Sequence, residues 1–329
     1  MINKKILNYL EKNIGRYKII ELEQDASLRR YFRINSQNKN YIFMDSSKVT
    51  KQFDLLLEVN KVLKNTNISI PQIFNYDLNK KFMILEDFGI NRFDKLIHIP
   101  KYTEKLLKYA VDSLVVIKNT IKYNNKFNII TFDYNLFKNE ISEFVEFYYP
   151  FIFKKKMPVL YKKDFYNIWK KKFQESNFSF DSFVHRDFFC NNLFYLSSRN
   201  KYLKCGIIDY QDAMWGDEAL DLVSLLEDSR RFINHDSSKD LINHFLKNTN
   251  QYKIKNSFYN RYNFLGAARQ TRILGRWVKL FKNYNKNQYL KYFDITWKRL
   301  ENNLKHNSLK EIYEFYNELI PIKKRKYEN

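Results

Sequence analysis

The chain has 329 residues, 44% hydrophobic and 18% aromatic, which supports one or two folded domains with a large core and excludes a disordered chain. Its formal charge of +22 comes with abundant Lys, Asn, Ile, Phe and Tyr and few Gly and Pro, 6 and 5. These residues have A/T-rich codons, so base composition explains a charge that would otherwise suggest nucleic acid, an acidic membrane or an anionic substrate. The 2 cysteines, Cys190 and Cys205, make no C-x-x-C and the 5 histidines no H-x-x-x-H, which excludes a disulfide framework or zinc ribbon and fits a reducing cytoplasm.

The elements follow in chain order. Residues 1–14 form an amphipathic helix with no long apolar h-region, so no signal peptide is expected. No run of about 18 apolar residues exists anywhere, which argues against a membrane span. Tyr17 to Leu22, Arg30 to Asn35 and Tyr41 to Met44 read as short strands, the first two joined by a turn over 23–29. Phe53, Leu56, Leu57 and Leu63 fall at helical spacing, Pro71 follows, and Lys81 to Leu85 is a strand ending at Glu86-Asp87-Phe88-Gly89. After Pro100 the pattern turns helical: Leu106, Leu107, Ala110, Val111, Leu114, Val115 and Ile117 share one face. Helices are expected at 136–149 and 161–174, then a loop and hairpin over 183–210. Further helices are expected at about 217–233, 238–248, 258–283, 286–302 and 308–320. The expected architecture is α+β: a small antiparallel-sheet lobe at 1–90 with a hinge near 86–90, and a larger, mostly helical lobe at 91–329. A cleft between such lobes is a natural nucleotide site; the strand order does not follow from the pattern.

The chemistry is concentrated in His185-Arg186-Asp187-Phe188-Phe189-Cys190-Asn191-Asn192 and Ile207-Ile208-Asp209-Tyr210-Gln211-Asp212. An Asp with an Asn five positions on, then a second Asp after an apolar run, is the spacing of a phosphoryl-transfer site. The transferred group is highly anionic, and Mg²⁺ bound to it prefers few protein oxygens plus phosphate and water. Asn192 and Asp209 have the chemistry of those ligands. Asp187 would orient the acceptor hydroxyl and take its proton, and His185 would brace the loop.

These residues resemble the aminoglycoside-phosphotransferase-like kinases, a superfamily with a protein-kinase-like two-lobed fold. Asp25-Ala26-Ser27-Leu28-Arg29-Arg30-Tyr31-Phe32-Arg33, Leu85-Glu86-Asp87-Phe88-Gly89, Asp221 to Asp228 and Leu265 to Gly275 resemble one branch, the anomeric N-acetylmuramate/N-acetylglucosamine kinases of bacterial cell-wall recycling. The resemblance implies ATP and Mg²⁺, phosphorylation of the sugar at C1, and a small-molecule partner. It further implies that Ser27 and Arg30 cover the phosphates and that the backbone of Leu85, Glu86 and Asp87 meets adenine. No glycine-rich loop precedes Met44, and Phe43-Met44-Asp45 stands where such kinases carry a lysine, so Arg30, Lys48 or Lys51 would supply that charge. Asp212 and Trp215 suit contacts to a sugar, or a loop cap and a buried ring. Arg269 and Arg272, three apart on one helix face, suit solvated or salt-bridged charges, or a lactyl carboxylate. The alternatives are a kinase of another small hydroxyl compound (aminoglycoside, choline or homoserine type) and a non-catalytic kinase-like binding protein.

Overall fold

A computed structural model describes residues 2–22, 28–37, 39–231 and 233–326. In chain order it contains α1 (Lys4–Ile14), β1 (Tyr17–Glu21), β2 (Arg30–Ser36), β3 (Asn40–Asp45), α2 (Thr50–Leu63), β4 (Ile73–Asp77), β5 (Phe82–Glu86), α3 (Phe93–Leu96) and α4 (Pro100–Thr120). There follow α5 (Tyr134–Glu143), α6 (Tyr149–Phe153), α7 (Val159–Glu175), β6 (Ser182–Val184), β7 (Leu193–Tyr195), β8 (Cys205–Ile207) and β9 (Met214–Gly216). The chain closes with α8 (Ala219–Leu226), α9 (His235–Asn248), α10 (Lys255–Tyr284), α11 (Phe293–Leu304) and α12 (Lys310–Leu319). The α+β class expected from the sequence is present: one five-stranded antiparallel sheet and a mostly helical remainder. Two compact units, both discontinuous in sequence, account for the chain: Met1–Ile129 with Cys190–Ala213, and Ile130–Phe189 with Met214–Asn329.

In the first unit the sheet order is β1-β2-β3-β5-β4, every pairing antiparallel. Helix α1 starts where the Asn3 side chain accepts from Lys5 N and stops at Gly15, whose φ of +80° suits glycine. Its buried face, Ile6, Tyr9 and Leu10, packs on Phe32, Ile34, Phe43, Phe82 and Ile84 of the sheet. Phe43 and Phe82 meet edge-on at 5.2 Å, a favoured aromatic geometry. The hairpin β7–β8 belongs to this unit, with Leu193 opposite Ile207.

In the second unit α10 is the central column, with buried residues on all sides from Phe258 to Val278. Phe264 stacks on Phe137 of α5 at 5.4 Å and meets Trp169 of α7 edge-on at 5.4 Å. Gly275 lets the α10 backbone close on α5: a Cβ there would lie 2.2 Å from the Glu143 carbonyl. The helix expected at 136–149 runs on through a widened π turn, Phe144–Tyr148, into α6. Pro150 lies just beyond that turn and has no N–H to donate to a carbonyl four residues back.

Three sequence expectations are corrected. Strand β4 was missed because it is an edge strand with two exposed positions and little alternation. Strand β9, only three residues, carries too short a pattern to register. The helix expected over 217–233 ends at Leu226, because the Asp228 carboxylate accepts from Arg230 N at 3.1 Å and turns the chain locally.

Candidate active site

In the first unit, Asn192 and Asp209 leave the β7–β8 hairpin side by side: Ile208 N donates to Asn192 O at 3.0 Å, continuing the ladder one step past Leu193 and Ile207. Asp209 has φ +66°, a left-handed conformation that costs a non-glycine residue about 1–3 kcal/mol. Its Oδ1 accepts from Arg29 Nη2 at 2.8 Å and from Gln211 Nε2 at 3.1 Å. Arg29 Nη1 donates to Gln211 Oε1 at 2.8 Å, and Gln211 Nε2 to Asp212 Oδ2 at 2.9 Å. Arg29 is buried and Asp209 about one third exposed, at 32%. Both Asp209 bonds fall on Oδ1, which leaves Oδ2 for a ligand.

The cation facing Asp209 is therefore Arg29, which the sequence reading had not singled out. Arg30 is turned to Glu21, with Nε and Nη2 donating to Oε1 at 3.0 and 2.8 Å. Lys48 and Lys51 are exposed. Neighbouring residues in extended chain point to opposite faces, so the Arg29-Arg30 pair held the signal and only the choice between them was open. Ser27 lies outside the described residues. At the expected hinge Leu85 is buried in β5. Glu86 N donates to Gln72 O at 2.9 Å, and its carboxylate accepts from Arg199 Nη2 at 2.5 Å. Asp87 is held by Arg33 Nε at 2.6 Å and by Gly89 N at 2.8 Å.

Asn192 and Asp209 offer one amide and one carboxylate, both hard-oxygen donors. Among the described residues no group of three or more His, Cys, Asp or Glu could hold a metal. A donor pair completed by phosphate and water suits Mg²⁺, which keeps much of its hydration, and does not suit zinc.

In the second unit, α8 organises the Asp187 loop. Asp221, 2% exposed, accepts from His185 N at 2.7 Å and from Arg186 N at 2.9 Å. Burial pushes its carboxyl up to about 6 from 3.8, against the pull of His185 and of the two N–H groups. Ser224, three residues on, donates from Oγ to Arg186 O at 3.3 Å. Arg186 takes φ +72°, and its Nη2 donates to Glu140 Oε1 at 2.6 Å. His185 is buried, its ring edge-on to Phe188 at 5.7 Å. Asp187 is half-buried, and its carbonyl accepts from Phe189 N at 3.0 Å.

Of the remaining sequence candidates, Asp212 is half-buried beside Gln211. Trp215 is 1% exposed on β9, edge-on to Phe183 at 6.3 Å; stacking on a sugar would need that ring uncovered. Arg269 is also buried, 7% exposed, so it is no solvated helix charge. Arg272 pairs with Glu140 at 3.4 Å. Sequence reasoning quoted Asp221 and Ser224 without giving them a role. Their i, i+3 spacing, which puts both on one helix face, was the available signal.

The phosphotransferase enzyme family model matches residues 174–247. The chain is 24% identical to the N-acetylmuramate/N-acetylglucosamine kinase of Caulobacter vibrioides, covering 92% of each chain. It is 23% identical to the protein of the same name from Pseudomonas aeruginosa, covering 83% of this chain and 80% of that one. Among solved structures it is similar to the ADP-bound aminoglycoside phosphotransferase APH(2'')-Ib, with TM-score 0.63, 14% identity and 95% and 99% of the two chains covered. It is also similar to the choline kinase LicA of Streptococcus pneumoniae, with TM-score 0.59, 13% identity and 94% and 98% covered. Family model, curated relatives and kinase-like fold agree, and the chain is a small-molecule phosphotransferase that resembles the aminoglycoside-phosphotransferase-like kinases.

Proposed function

We propose that this chain transfers the terminal phosphoryl group of ATP to the C1 hydroxyl of N-acetylmuramate or N-acetylglucosamine. The observation that carries this reading is the similarity, along nine-tenths of both chains, to a kinase named for those two sugars. The residues support it. Asp187 accepts the C1 hydroxyl proton as that oxygen bonds to phosphorus and the bond to the departing ADP oxygen breaks. Asp221 and Ser224 hold the backbone of His185 and Arg186, from which Asp187 projects, and the buried His185 ring braces the loop against Phe188. Asn192 and Asp209 would hold Mg²⁺, which neutralises charge on the phosphates when bound. Arg29 fixes the Asp209 carboxylate and brings a buried positive charge to it. Ser27 and the backbone of Leu85 to Asp87 complete the proposed nucleotide site, within a functional division at residue 90; Arg30 would join it only on leaving Glu21. No described helix is long and apolar enough to cross a membrane, in keeping with a cytoplasmic enzyme.

The test is Mg-ATP turnover across a panel of amino sugars, choline and aminoglycosides, with the phosphate position read by NMR. Phosphate on C1 of either sugar is the expected result. Turnover of choline or an aminoglycoside, with none of the amino sugars, would replace this reading by the second one.

A further inference from the structure

Helix α10 carries a buried cation that no carboxylate hydrogen-bonds among the described residues. Arg269 is 7% exposed and its Nε donates to Ser224 Oγ at 3.2 Å. Its Nη1 is fully buried and meets no hydrogen-bond partner among the described residues. A buried N–H left without a partner is costly, and a charged one more so. The carboxylates nearby are committed elsewhere. Asp228 accepts from Arg230 Nε at 2.8 Å and also binds Arg231 Nη1. Glu140 accepts from Arg186 and pairs with Arg272, and Asp221 holds the backbone of His185 and Arg186. Burial, reinforced by Arg272 and Arg230 and only partly offset by Asp228 and Asp187, pulls the Arg269 guanidinium down to about 10, which still leaves it charged at neutral pH. The Asp187 carboxylate acts electrostatically on both Arg269 and Arg272. Arg230 lies over the Phe189 ring at 4.3 Å, which ties the arginine group to the same loop.

We propose that Arg269 binds a carboxylate carried by the acceptor, within electrostatic reach of the Asp187 that takes its hydroxyl proton. The inference rests on the functional reading above and adds to it a specificity-determining residue. The expected acceptor class is a hydroxyl compound with a carboxylate on a short arm, so N-acetylmuramate is favoured over neutral N-acetylglucosamine. The anion could instead be the donor phosphate. The acceptor is preferred because Arg269 and the Asp187 loop lie in one unit, whereas the cation on the proposed metal ligand Asp209 is Arg29.

The experiment compares kcat/KM for N-acetylmuramate, its methyl ester and N-acetylglucosamine, in the wild type and in Arg269→Gln. The wild type should favour the free acid over the ester about 10- to 100-fold, the range of one charged hydrogen bond. Arg269→Gln should shrink that ratio to a few-fold, whatever its absolute turnover. Equal use of acid and ester by the wild type overturns the proposal, as does an unchanged ratio in the variant. A proportional fall for all three acceptors with a raised KM for ATP assigns Arg269 to the phosphate, and also overturns it. If Arg269→Gln does not fold, Arg269→Lys decides: losing the planar fork should lower the ratio several-fold, and an unchanged ratio refutes the assignment. Wild-type turnover of none of the three compounds would sink the functional reading itself, and the inference with it.

Discussion

Replacing Asp221 by Asn separates the cost of burying a charge from the use made of it. The wild-type carboxylate is 2% exposed, and its pKa rises from 3.8 to about 6 in the folded chain. A carboxyl whose pKa is raised on folding contributes its full share of stability below its unfolded value and loses it as pH rises through the folded one. Two units correspond to about 3 kcal/mol, lost between roughly pH 4 and pH 7. Asn does not titrate, so Asp221→Asn should lack that decline. The protonated acid and Asn each offer one carbonyl acceptor to the two backbone donors. The variant should therefore lie within about 1 kcal/mol of wild type at the acid end and be up to about 3 kcal/mol more stable at pH 7.

Activity should fall even where stability rises. The two Asp221 bonds hold Arg186 at φ +72°, one residue before Asp187. A loop relaxed from that conformation moves the Asp187 carboxylate, and a displacement of about 1 Å can cost about 100-fold in rate. The assays are urea unfolding of both proteins from pH 4.5 to 7.5, and kcat at pH 7.5. Parallel stability curves would refute the assignment of a buried, charged Asp221. Wild-type kcat in the variant would refute its role in placing Asp187.

Three further outcomes follow. Asp187→Asn, at a half-buried position, should lower kcat by about 10²- to 10⁴-fold while leaving the thermal midpoint within a few degrees of wild type. Arg29→Met strips Asp209 and Gln211 of their shared donor; a fully buried pair would lose about 3–5 kcal/mol, and with Asp209 at 32% exposure about 2 kcal/mol is expected in urea unfolding, with a raised KM for ATP. Gly275→Ala puts a methyl group 2.2 Å from the Glu143 backbone, where no rotamer change relieves it; a loss of about 3 kcal/mol should show as a lower melting temperature.

Most of the architecture was legible because its elements are long or strongly patterned. The apolar face from Leu106 to Ile117 is α4, and the Ile207-Ile208-Asp209 run marks the end of the β7–β8 hairpin. What escaped lacks a local signature. Strands β4 and β9 are defined by their partners β5 and β6, not by their own alternation. The choice of Arg29 over Arg30 depends on which face of the chain meets Gln211, 182 residues away. The burial of Arg269 is a property of α10 as a central column, because a solvated helix could carry the same sequence with its arginines in water.

The motif residues share a device that their sequence spacing does not reveal. Apart from glycines, eight described residues have a positive φ, and six of these are Lys or Asn at turns or helix ends, where such conformations are common. The other two are Arg186 and Asp209. Arg rarely adopts that conformation and Asp adopts it mainly in turns, yet here each is also held from outside its own segment. In both cases the restraint is charged and buried: the Asp221 carboxylate on the backbone of His185 and Arg186, and the Arg29 guanidinium on the Asp209 side chain. Glycine at either position would adopt the conformation without strain, but it would also let the segment leave it. At 209 it would remove the proposed ligand as well. A restrained, strained residue fixes where the next functional atom lies, which is what a reaction dominated by positioning and charge requires. On the proposed mechanism, Asp221 and Arg29 act on the chemistry through the residues they hold.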